Sequence, residues 1–497
     1  MIAPYLTLIL ISVVFAICIA AVFCFKTQRT IMIIPVFSSL TVSLLTVFWG
    51  AKLYNDGTFI FGRGNIIIDS LSFFHIALVN IVFTATSAYM IDYFTKITKD
   101  DFKSIAYFRR FFSLWQAFHA MLILVLISNN IGLTWIALES TTIVSSFLIL
   151  SEKDTLSIEA MWKYLLICSV GIALAFIGTI LVIAAAHSLP TEDSVYTFTE
   201  LHSHASELDP ALMLFSFIFL VVGFGTKAGL APMHTWLPDA HSQAPTPVSA
   251  VFSGVMLNCA LFTIMRYLSV MNSVDGIGVH AHSILLFFGL ASLFVAVVFV
   301  PIQRDMKRLL AYCSVEHIGI IVIGLGLGGM GTVAALFHTL NHSLAKMLAF
   351  FSAGSIINQY KTRNMEKIRG VINTMPIWGG SFIIAMFALL GIAPSSVFLS
   401  EFMIAKSAFS SGRYIILGFF MLGALVIFMA ILKYVLDLMY APPNKCIKKN
   451  NKVSWWNKIS ITICIAEFII FGLWIPGPFM HFLKNAASII ENGNVFK

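Results

Sequence analysis

The sequence predicts an all-α integral membrane protein with about 14 transmembrane helices. Only 11% of its 497 residues are charged and 59% are hydrophobic, whereas a soluble protein carries roughly a quarter charged residues. Its mean hydropathy is +0.91. Apolar runs of about twenty residues, the length that crosses the hydrocarbon core of a bilayer, recur from end to end. Backbone groups in lipid must be hydrogen-bonded within their own segment, so these runs are expected to be helices.

The predicted spans follow the apolar runs in chain order. They lie at about 3–25, 31–50, 70–91, 111–128, 131–150, 158–187, 211–230, 246–270, 283–300, 309–327, 332–357, 375–398, 414–437 and 459–478.

The distribution of positive charge predicts the orientation. The first cations, Lys26 and Arg29, follow the first apolar run, which predicts a retained first helix with both chain termini outside. With this orientation the inner loops hold twenty of the 31 Lys and Arg residues and the outer segments hold seven. This agrees with the positive-inside rule and favours a bacterial inner membrane. The basic charge therefore reflects orientation, and no nucleic-acid partner is expected.

The cysteines and glycines give no sign of a cofactor. The seven cysteines are scattered and none forms CxxC, whereas iron–sulfur clusters need grouped thiolates. The sequence contains neither a GxGxxG dinucleotide fingerprint nor a P-loop. We expect this chain to hold no cofactor, no metal and no redox centre of its own.

Two pairs of similar segments indicate an internal repeat. KYLLICSVG at 163–171 matches KMLAFFSAG at 346–354, and GLAPMHTWLPD at 229–239 matches GIAPSSVFLSE at 391–401. Five helices thus recur, and an odd number of spans inverts the second copy, as in many transporters. The predicted units are N-terminal helices at 1–110, repeats at 111–270 and 283–440, and a C-terminal loop and helix at 441–497.

Four prolines are expected to break helices near the interface of these repeats. Pro232 and Pro394 belong to the two GxAP segments, and Pro245 and Pro247 follow the first of them. Proline removes a backbone hydrogen bond, and transporter folds place ion sites at such breaks.

Two oppositely charged residues lie inside predicted spans of the first repeat. A charge at the bilayer centre costs about 2.5–3.5 kcal/mol even on lenient scales, so it marks a proton or ion path by default. Glu139 lies in the middle of span five, and Lys227 of span seven is its natural partner. A static ion pair that holds two helices together is the alternative.

Further titratable residues extend this candidate path into the second repeat. Lys346 shares a helical face with residues four and eight positions earlier, both histidines, which pass protons readily near neutral pH. Lys163 matches Lys346 in the repeat, and a local pair with Glu159 is the alternative. The candidate proton-relay residues are Glu139, Lys163, Lys227, Glu316, His317, His338, His342, Lys346 and Glu401. Zinc is disfavoured because no HExxH acid lies between His338 and His342.

Four segments carry a resemblance to a known family: KAGLAPMHTWLPDAHSQAPTPVSA (227–250), DMKRLLAYCSVEHIG (305–319), HTLNHSLAKMLAFFSAG (338–354) and FLSEF (398–402). The chain resembles the antiporter-like membrane subunits of respiratory complex I, Mrp-type cation/proton antiporters and membrane-bound hydrogenases. The SVEH, NHSLAK and FLSEF segments are most similar to hydrogenase-4 component F and its relatives.

The resemblance implies fourteen core helices in two inverted repeats and a proton path through buried Lys, Glu and His. The family's charged positions correspond to Glu139, Lys227, Lys346 and Glu401 of this sequence. It also implies partner subunits that carry the redox centres and drive this chain. One departure is Ser253, which stands on the broken helix eight where some relatives have His or Lys.

The expected function is therefore proton translocation in a redox-driven complex, such as a membrane-bound hydrogenase or an NADH:quinone oxidoreductase, beside other membrane subunits. The first alternative is a Na⁺/H⁺ antiporter subunit. The second is the proton path of another ion-driven complex, for example one for inorganic-carbon uptake. A haem-bearing electron carrier that uses paired histidines is the least favoured reading.

Overall fold

Every predicted span coincides with a helix or a broken pair of helices. The computed structural model describes residues 2–100, 104–150, 154–186, 196–442, 449 and 452–492. The first part of the predicted outer loop at 188–210, residues 188–195, and part of the inner loop after span 13 thus lie outside the described residues. Within those ranges twelve helical segments are long and apolar enough to cross a bilayer. The chain is an all-α integral membrane protein.

The helices up to the centre of the chain include two short ones, Phe198–Ser203 and Trp236–Gln243, that were not predicted as separate elements. They are α1 Ile2–Cys24, α2 Gln28–Asp56, α3 Ser70–Asp100, α4 Ile105–Ile127, α5 Ile131–Ile149, α6 Thr155–Ala185, α7 Phe198–Ser203, α8 Pro210–Ala228, α9 Trp236–Gln243 and α10 Thr246–Val251.

The remaining helices follow a π-helical segment at Phe252–Met256, which joins α10 to α11. They are α11 Leu257–Ser273, α12 Gly278–Phe299, α13 Met306–Leu327, α14 Met330–Tyr360, α15 Val371–Thr374, α16 Pro376–Leu389, α17 Ser396–Ser410, α18 Tyr414–Tyr440, α19 Trp455–Leu473 and α20 Gly477–Asn492.

The only strands in the described residues form a small hairpin before α3. Strand β1 (Phe59–Phe61) pairs antiparallel with β2 (Ile66–Ile68), with Phe59 opposite Ile68. The sequence analysis predicted neither this hairpin nor α20. Helix α20 is amphipathic and buries Leu483, Ala486 and Ile490 against the bundle.

Two predicted spans differ from an ordinary transmembrane helix. Span 11 is α14, which is nearly all buried but carries His, Asn and Lys side chains that lower its hydropathy. Span 12 is divided into α16 and α17. These two account for the difference between twelve segments selected by composition and fourteen predicted spans.

The two GxAP breaks have matching backbone shapes. Helix α8 ends at Gly229 (φ 80°), and the turn after α16 contains Gly391 (φ 60°). A positive φ is strained for residues with a Cβ, so both turns favour glycine. Pro232 and Pro394 follow in these turns, each after a cis Ala–Pro bond.

The other two predicted breakers act differently. Pro245 immediately precedes α10, and Pro247 lies in its first turn, where proline is compatible with a helix. They therefore start a helix after the gap, and the irregular part of span eight is the π-helical segment that follows.

Helix packing repeats in the two halves of the chain. Helix α6 packs against α8 and α9, and α14 packs against α16 and α17. The segments 246–273 and 306–327 are buried along their most apolar stretch, so they form the centre of the bundle. The exact boundaries proposed for the four units remain a prediction.

Candidate functional site

Lys227 lies in the last turn of α8 with its side chain fully buried. The left-handed turn at Gly229 ends the helix two residues later, and a helix C-terminus favours a cation. The ammonium donates to Thr142 Oγ1 at 2.6 Å and to the Tyr164 hydroxyl at 2.8 Å. Lys227 is therefore bound by hydroxyl groups of α5 and α6.

Tyr164 connects the Lys227 site to the centre of the bundle. Its hydroxyl lies 2.6 Å from Ser145 Oγ and 3.7 Å from the sulfur of Met256, to which it can donate. Met256 ends the π-helical segment. The sequence analysis missed Tyr164 because a tyrosine in an apolar run carries no charge pattern that would mark it.

Glu139 does not form the predicted ion pair with Lys227. Its Oε1 accepts a 2.9 Å hydrogen bond from Ser169 Oγ, and its Oε2 is buried without a hydrogen-bond partner among the described residues. No Glu139–Lys227 contact within 4.0 Å is found in the described part of the chain. The predicted direct contact is wrong because the lysine turns toward Thr142 and Tyr164, so the two charges act on each other through space.

The π-helical segment joins the two repeats through small polar groups. A π turn leaves backbone carbonyls without their usual helical donors. Gly254 O accepts from Asn258 Nδ2 at 2.7 Å and from Ser343 Oγ at 2.6 Å. Ser253 Oγ lies 2.7 Å from Ser314 Oγ. These buried groups link the π-helical segment and α11 with α13 and α14.

Lys346 lies near the middle of α14 and is fully buried. Its ammonium donates to the backbone carbonyl of Leu310 at 2.8 Å. No carboxylate oxygen lies within 4.0 Å of it in the described residues. Glu316, two turns along the same neighbouring helix from Leu310, is 5% exposed. Lys346 is thus a second fully buried lysine without a carboxylate partner in contact, as Lys227 is, although its repeat counterpart is Lys163.

Three histidines continue from Lys346 toward Glu401. The rings of His317 and His342 are 5.2 Å apart, and His317 Nδ1 lies 3.0 Å from His338 Nε2. His338 Nδ1 bonds Ser400 Oγ at 2.9 Å. His317 Nδ1 is also 4.0 Å from Glu401 Oε1. The structure thus brings these predicted residues together. His317 lies between His342, His338 and Glu401.

The buried titratable residues form a row from Lys227 through Lys346 and the three histidines to Glu401. Lys163 is not part of this buried row. Its side chain is 46% exposed, and its ammonium pairs with Glu159 at 2.6 Å and with Asp239 at 3.1 Å. Asp239 also pairs with Arg308 at 3.2 Å. The placement of Lys163 in the buried path is therefore corrected, and the local pair with Glu159 left open by the sequence is confirmed.

Three further buried charged side chains were not identified from the sequence: Asp69, Arg266 and Lys307. Asp69 and Arg266 form an ion pair of 2.6 Å with 0% and 2% of their side chains exposed. Lys307, assigned to an inner loop, is 5% exposed and donates to Ala244 O at 2.8 Å. Both cations lie near predicted span ends, where charge is normally solvated, so position alone did not mark them as buried.

The part of the chain that contains this row matches the model of a known protein family. The family model described as NADH:quinone oxidoreductase/Mrp antiporter, TM matches residues 128–427. The chain belongs to this family. The match includes Glu139, Lys227, Lys346 and Glu401, the four positions that the sequence resemblance identified.

Individual relatives agree with this assignment. The chain is 38% identical over 346 residues to the hydrogenase-4 component F homolog of Methylacidiphilum infernorum (isolate V4), covering 69% of this chain and 72% of that protein. It is 30% identical over 358 residues to hydrogenase-4 component B of Escherichia coli (strain K12), covering 70% of this chain but only 51% of that protein.

A solved structure shares the fold over the whole chain. It is a chain in the structure of the membrane-bound sulfane sulfur reductase, an archaeal respiratory membrane complex. The TM-score is 0.86 at 20% sequence identity, and each chain is fully covered. At this identity the likeness describes the fold alone.

Proposed function

We propose that this chain is a proton-translocating subunit of a redox-driven membrane complex, such as a membrane-bound hydrogenase or an NADH:quinone oxidoreductase. The observation that carries the proposal is the buried row of titratable groups from Lys227 to Glu401 through α13 and α14. Buried ionisable groups are expensive in a bilayer and are retained for function by default. The relatives named as hydrogenase-4 components support the type of complex.

The relay starts from a change of charge at Glu139. An ionised Glu139 stabilises the ammonium of Lys227 even without contact, since Coulomb interactions in a low-dielectric interior reach several ångströms. Neutralising or displacing that carboxylate makes it easier for Lys227 to give up a proton. The Tyr164 hydroxyl, 2.8 Å from the ammonium, is the group positioned to take part in that transfer.

The second half of the relay uses Lys346 and the histidines. Between the two lysine sites, Gly254 of the π-helical segment is hydrogen-bonded to Asn258 of α11 and to Ser343 of α14. From Lys346 the rings of His342, His317 and His338 form a continuous series that ends beside Glu401. Imidazole both donates and accepts a proton, so such a series suits proton transfer.

The chemistry of the row favours protons over sodium ions. Hard cations such as Na⁺ are held by several oxygen ligands, whereas the described row consists mainly of ammonium and imidazole groups. A Na⁺/H⁺ antiporter subunit is the second candidate, because the matching family is described by Mrp antiporters as well as by NADH:quinone oxidoreductase. Sodium-dependent transport in a preparation without redox partners would support that candidate.

Other subunits of the complex are proposed to supply the driving reaction. This chain then needs no redox centre of its own, and the proton flow is coupled to electron transfer in its partners. The excess of Lys and Arg in the inner loops supports a bacterial inner membrane with both termini outside. Proteins that co-purify in mild detergent would distinguish a hydrogenase, a quinone reductase and an inorganic-carbon uptake complex.

The test uses the intact complex reconstituted in vesicles. We expect Lys227→Ala and Glu139→Gln to abolish most proton translocation per electron transferred, measured with an internal pH-sensitive dye. Lys163→Gln is the matched control, because it also removes a lysine charge but from an exposed ion pair. Wild-type pumping by Lys227→Ala would contradict the relay.

A further inference from the structure

Three side chains from three different helices converge at the end of the buried row. His317 of α13, His338 of α14 and Glu401 of α17 each offer one ligand atom, and these atoms all lie within 4.8 Å of one another. We propose that they form a binding site for a Zn²⁺-like transition-metal ion, and that the bound ion blocks proton transfer there. The site was not expected from the sequence, which offered only the His338–His342 spacing.

The ligand set and the distances suit such an ion. Two imidazole nitrogens and one carboxylate oxygen are the ligands of open zinc sites, in which a fourth position is left to water. Zinc lies about 2.0–2.1 Å from each nitrogen, so two tetrahedral ligand nitrogens are about 3.3 Å apart. His317 Nδ1 and His338 Nε2 are 3.0 Å apart, and Glu401 Oε1 is 4.0 Å from His317 Nδ1. Small side-chain rotations therefore suffice to bind the ion.

The surrounding hydrogen bonds orient His338 as a ligand. Ser400 Oγ donates its single proton to Val397 O at 2.8 Å. It therefore accepts from His338 Nδ1 at 2.9 Å and from Asn341 Nδ2 at 3.2 Å. The proton of His338 is thus held on Nδ1, and the lone pair of Nε2 points to the centre of the cluster. Metal-binding histidines are commonly fixed in this way by a second hydrogen bond.

Glu401 has room for an ion on its open side. Its side chain is 15% exposed and accepts no hydrogen bond from the described residues. It borders a cavity of about 270 Å³ between α17 and α18. On the other side Glu401 Oε2 packs directly on the backbone of Gly391, where an added Cβ would collide with it. A cation would supply the positive charge that this carboxylate lacks, and the cavity leaves one side of the carboxylate open for a fourth ligand of the ion.

The ligand types select the class of metal. Imidazole suits zinc and neighbouring transition metals, whereas Mg²⁺ and Ca²⁺ prefer all-oxygen sites. Co²⁺ is therefore a suitable spectroscopic probe for the site, and Zn²⁺ its expected competitor.

The inhibitory part of the inference rests on the proposed function. A metal ion would occupy the nitrogen lone pairs that a proton must use to pass from His317 to His338 and on to Glu401. Binding itself is independent of any transport activity, so the two parts can be tested separately.

The binding test titrates the purified intact complex with Co²⁺ and follows its visible absorption, then displaces it with Zn²⁺. We expect one tetrahedral site per copy of this chain. His338→Gln and Glu401→Gln should each weaken binding at least 10-fold, and Ser400→Ala should weaken it about 10-fold. His342→Gln is the matched control, because this buried histidine stacks on His317 but offers no ligand to the cluster.

The outcomes separate the site from the proposed function. Absence of tetrahedral Co²⁺ absorption in the wild type, or an equal loss in His342→Gln, would overturn the metal site. Glu401→Gln, whose thermal stability in detergent is checked in parallel, decides the case if His338→Gln does not fold. Zn²⁺ that binds without lowering proton translocation would overturn the inhibitory role and leave the site standing. Failure of Lys227→Ala to reduce pumping would contradict the proposed function alone.

Discussion

Removal of the Asp69 charge is expected to destabilise the protein strongly. Asp69 lies directly before α3, and its carboxylate receives two hydrogen bonds from Arg266 of α11, at 2.6 and 2.8 Å. Arg266 also donates to Ser72 Oγ at 2.8 Å. Because α11 continues from the π-helical segment, this clamp holds the broken span eight against α3.

The magnitude follows from the burial of the pair. Both side chains are 2% exposed or less, so Asp69→Asn leaves the Arg266 guanidinium buried without a counter-charge. Breaking one side of a buried ion pair costs about 3–5 kcal/mol. Asparagine retains an oxygen for the Ser72 backbone N–H, which donates to Asp69 Oδ1 at 2.8 Å, but its amide N–H₂ cannot accept the second hydrogen bond from Arg266, so this bond is lost together with the charge.

The matched control is an ion pair in solvent. Glu159 and Lys163 are 57% and 46% exposed, and an exposed pair contributes about 0–1 kcal/mol. Thermal unfolding in one detergent should therefore show a large loss of Tm for Asp69→Asn and almost none for Glu159→Gln. Equal Tm changes would show that burial does not make the Asp69–Arg266 pair more important for stability than an exposed ion pair.

Three further changes test other parts of the structure. Tyr164→Phe removes one of the two hydroxyl acceptors of Lys227, worth about 1.5–3 kcal/mol for a charged donor; vesicle pumping should fall at least tenfold, and unchanged pumping would exclude the hydroxyl from the relay. Gly223→Ala places a Cβ 2.5 Å from the facing helix backbone, whereas Gly380→Ala meets nothing within 4 Å; only the first should lower thermal stability, by about 1–3 kcal/mol. Burial lowers the pKa of His202, in the segment before α8, to about 4. Because the unfolded segment then binds the extra proton, its stability should fall as the pH drops below about 6.5; hydrogen exchange should show this in the wild type but not in His202→Gln.

Much of the fold was predictable because transmembrane helices appear in the sequence as long apolar runs. A bilayer leaves the backbone few alternatives, so long apolar runs become helices wherever they occur. The GxAP segments marked the two breaks, since glycine and proline act locally on the backbone. The same reasoning missed α20 and the β1–β2 hairpin, whose apolar residues are too few to span a membrane.

The candidate site was predictable in its members but not in its contacts. Lys227, Lys346 and the histidines were found because buried charge is rare in apolar sequence. Their partners depend on which side chains face one another across helices, and spacing within one helix does not reveal that. Hence Lys227 bonds Tyr164 and Thr142 rather than Glu139.

The π-helical segment and the Asp69–Arg266 clamp are two more features that the sequence does not reveal. Nothing in PVSAVFSGVM distinguishes a π turn from an α-helix, since the two differ only in whether a backbone N–H bonds the carbonyl five or four residues earlier. Asp69 and Arg266 are 197 residues apart, and each lies near a predicted span end where a charge is unremarkable. Only the packed structure brings them together.

The decisive measurement of a proton path through the buried row is the ratio of protons translocated per electron pair by the intact complex. The comparison is between Lys346→Ala and Lys163→Gln, since these lysines occupy matching repeat positions but only Lys346 is buried in the row. We expect a clear fall in the ratio for Lys346→Ala and a wild-type ratio for Lys163→Gln. A wild-type ratio for Lys346→Ala in a folded, assembled complex would contradict a proton path through the buried row.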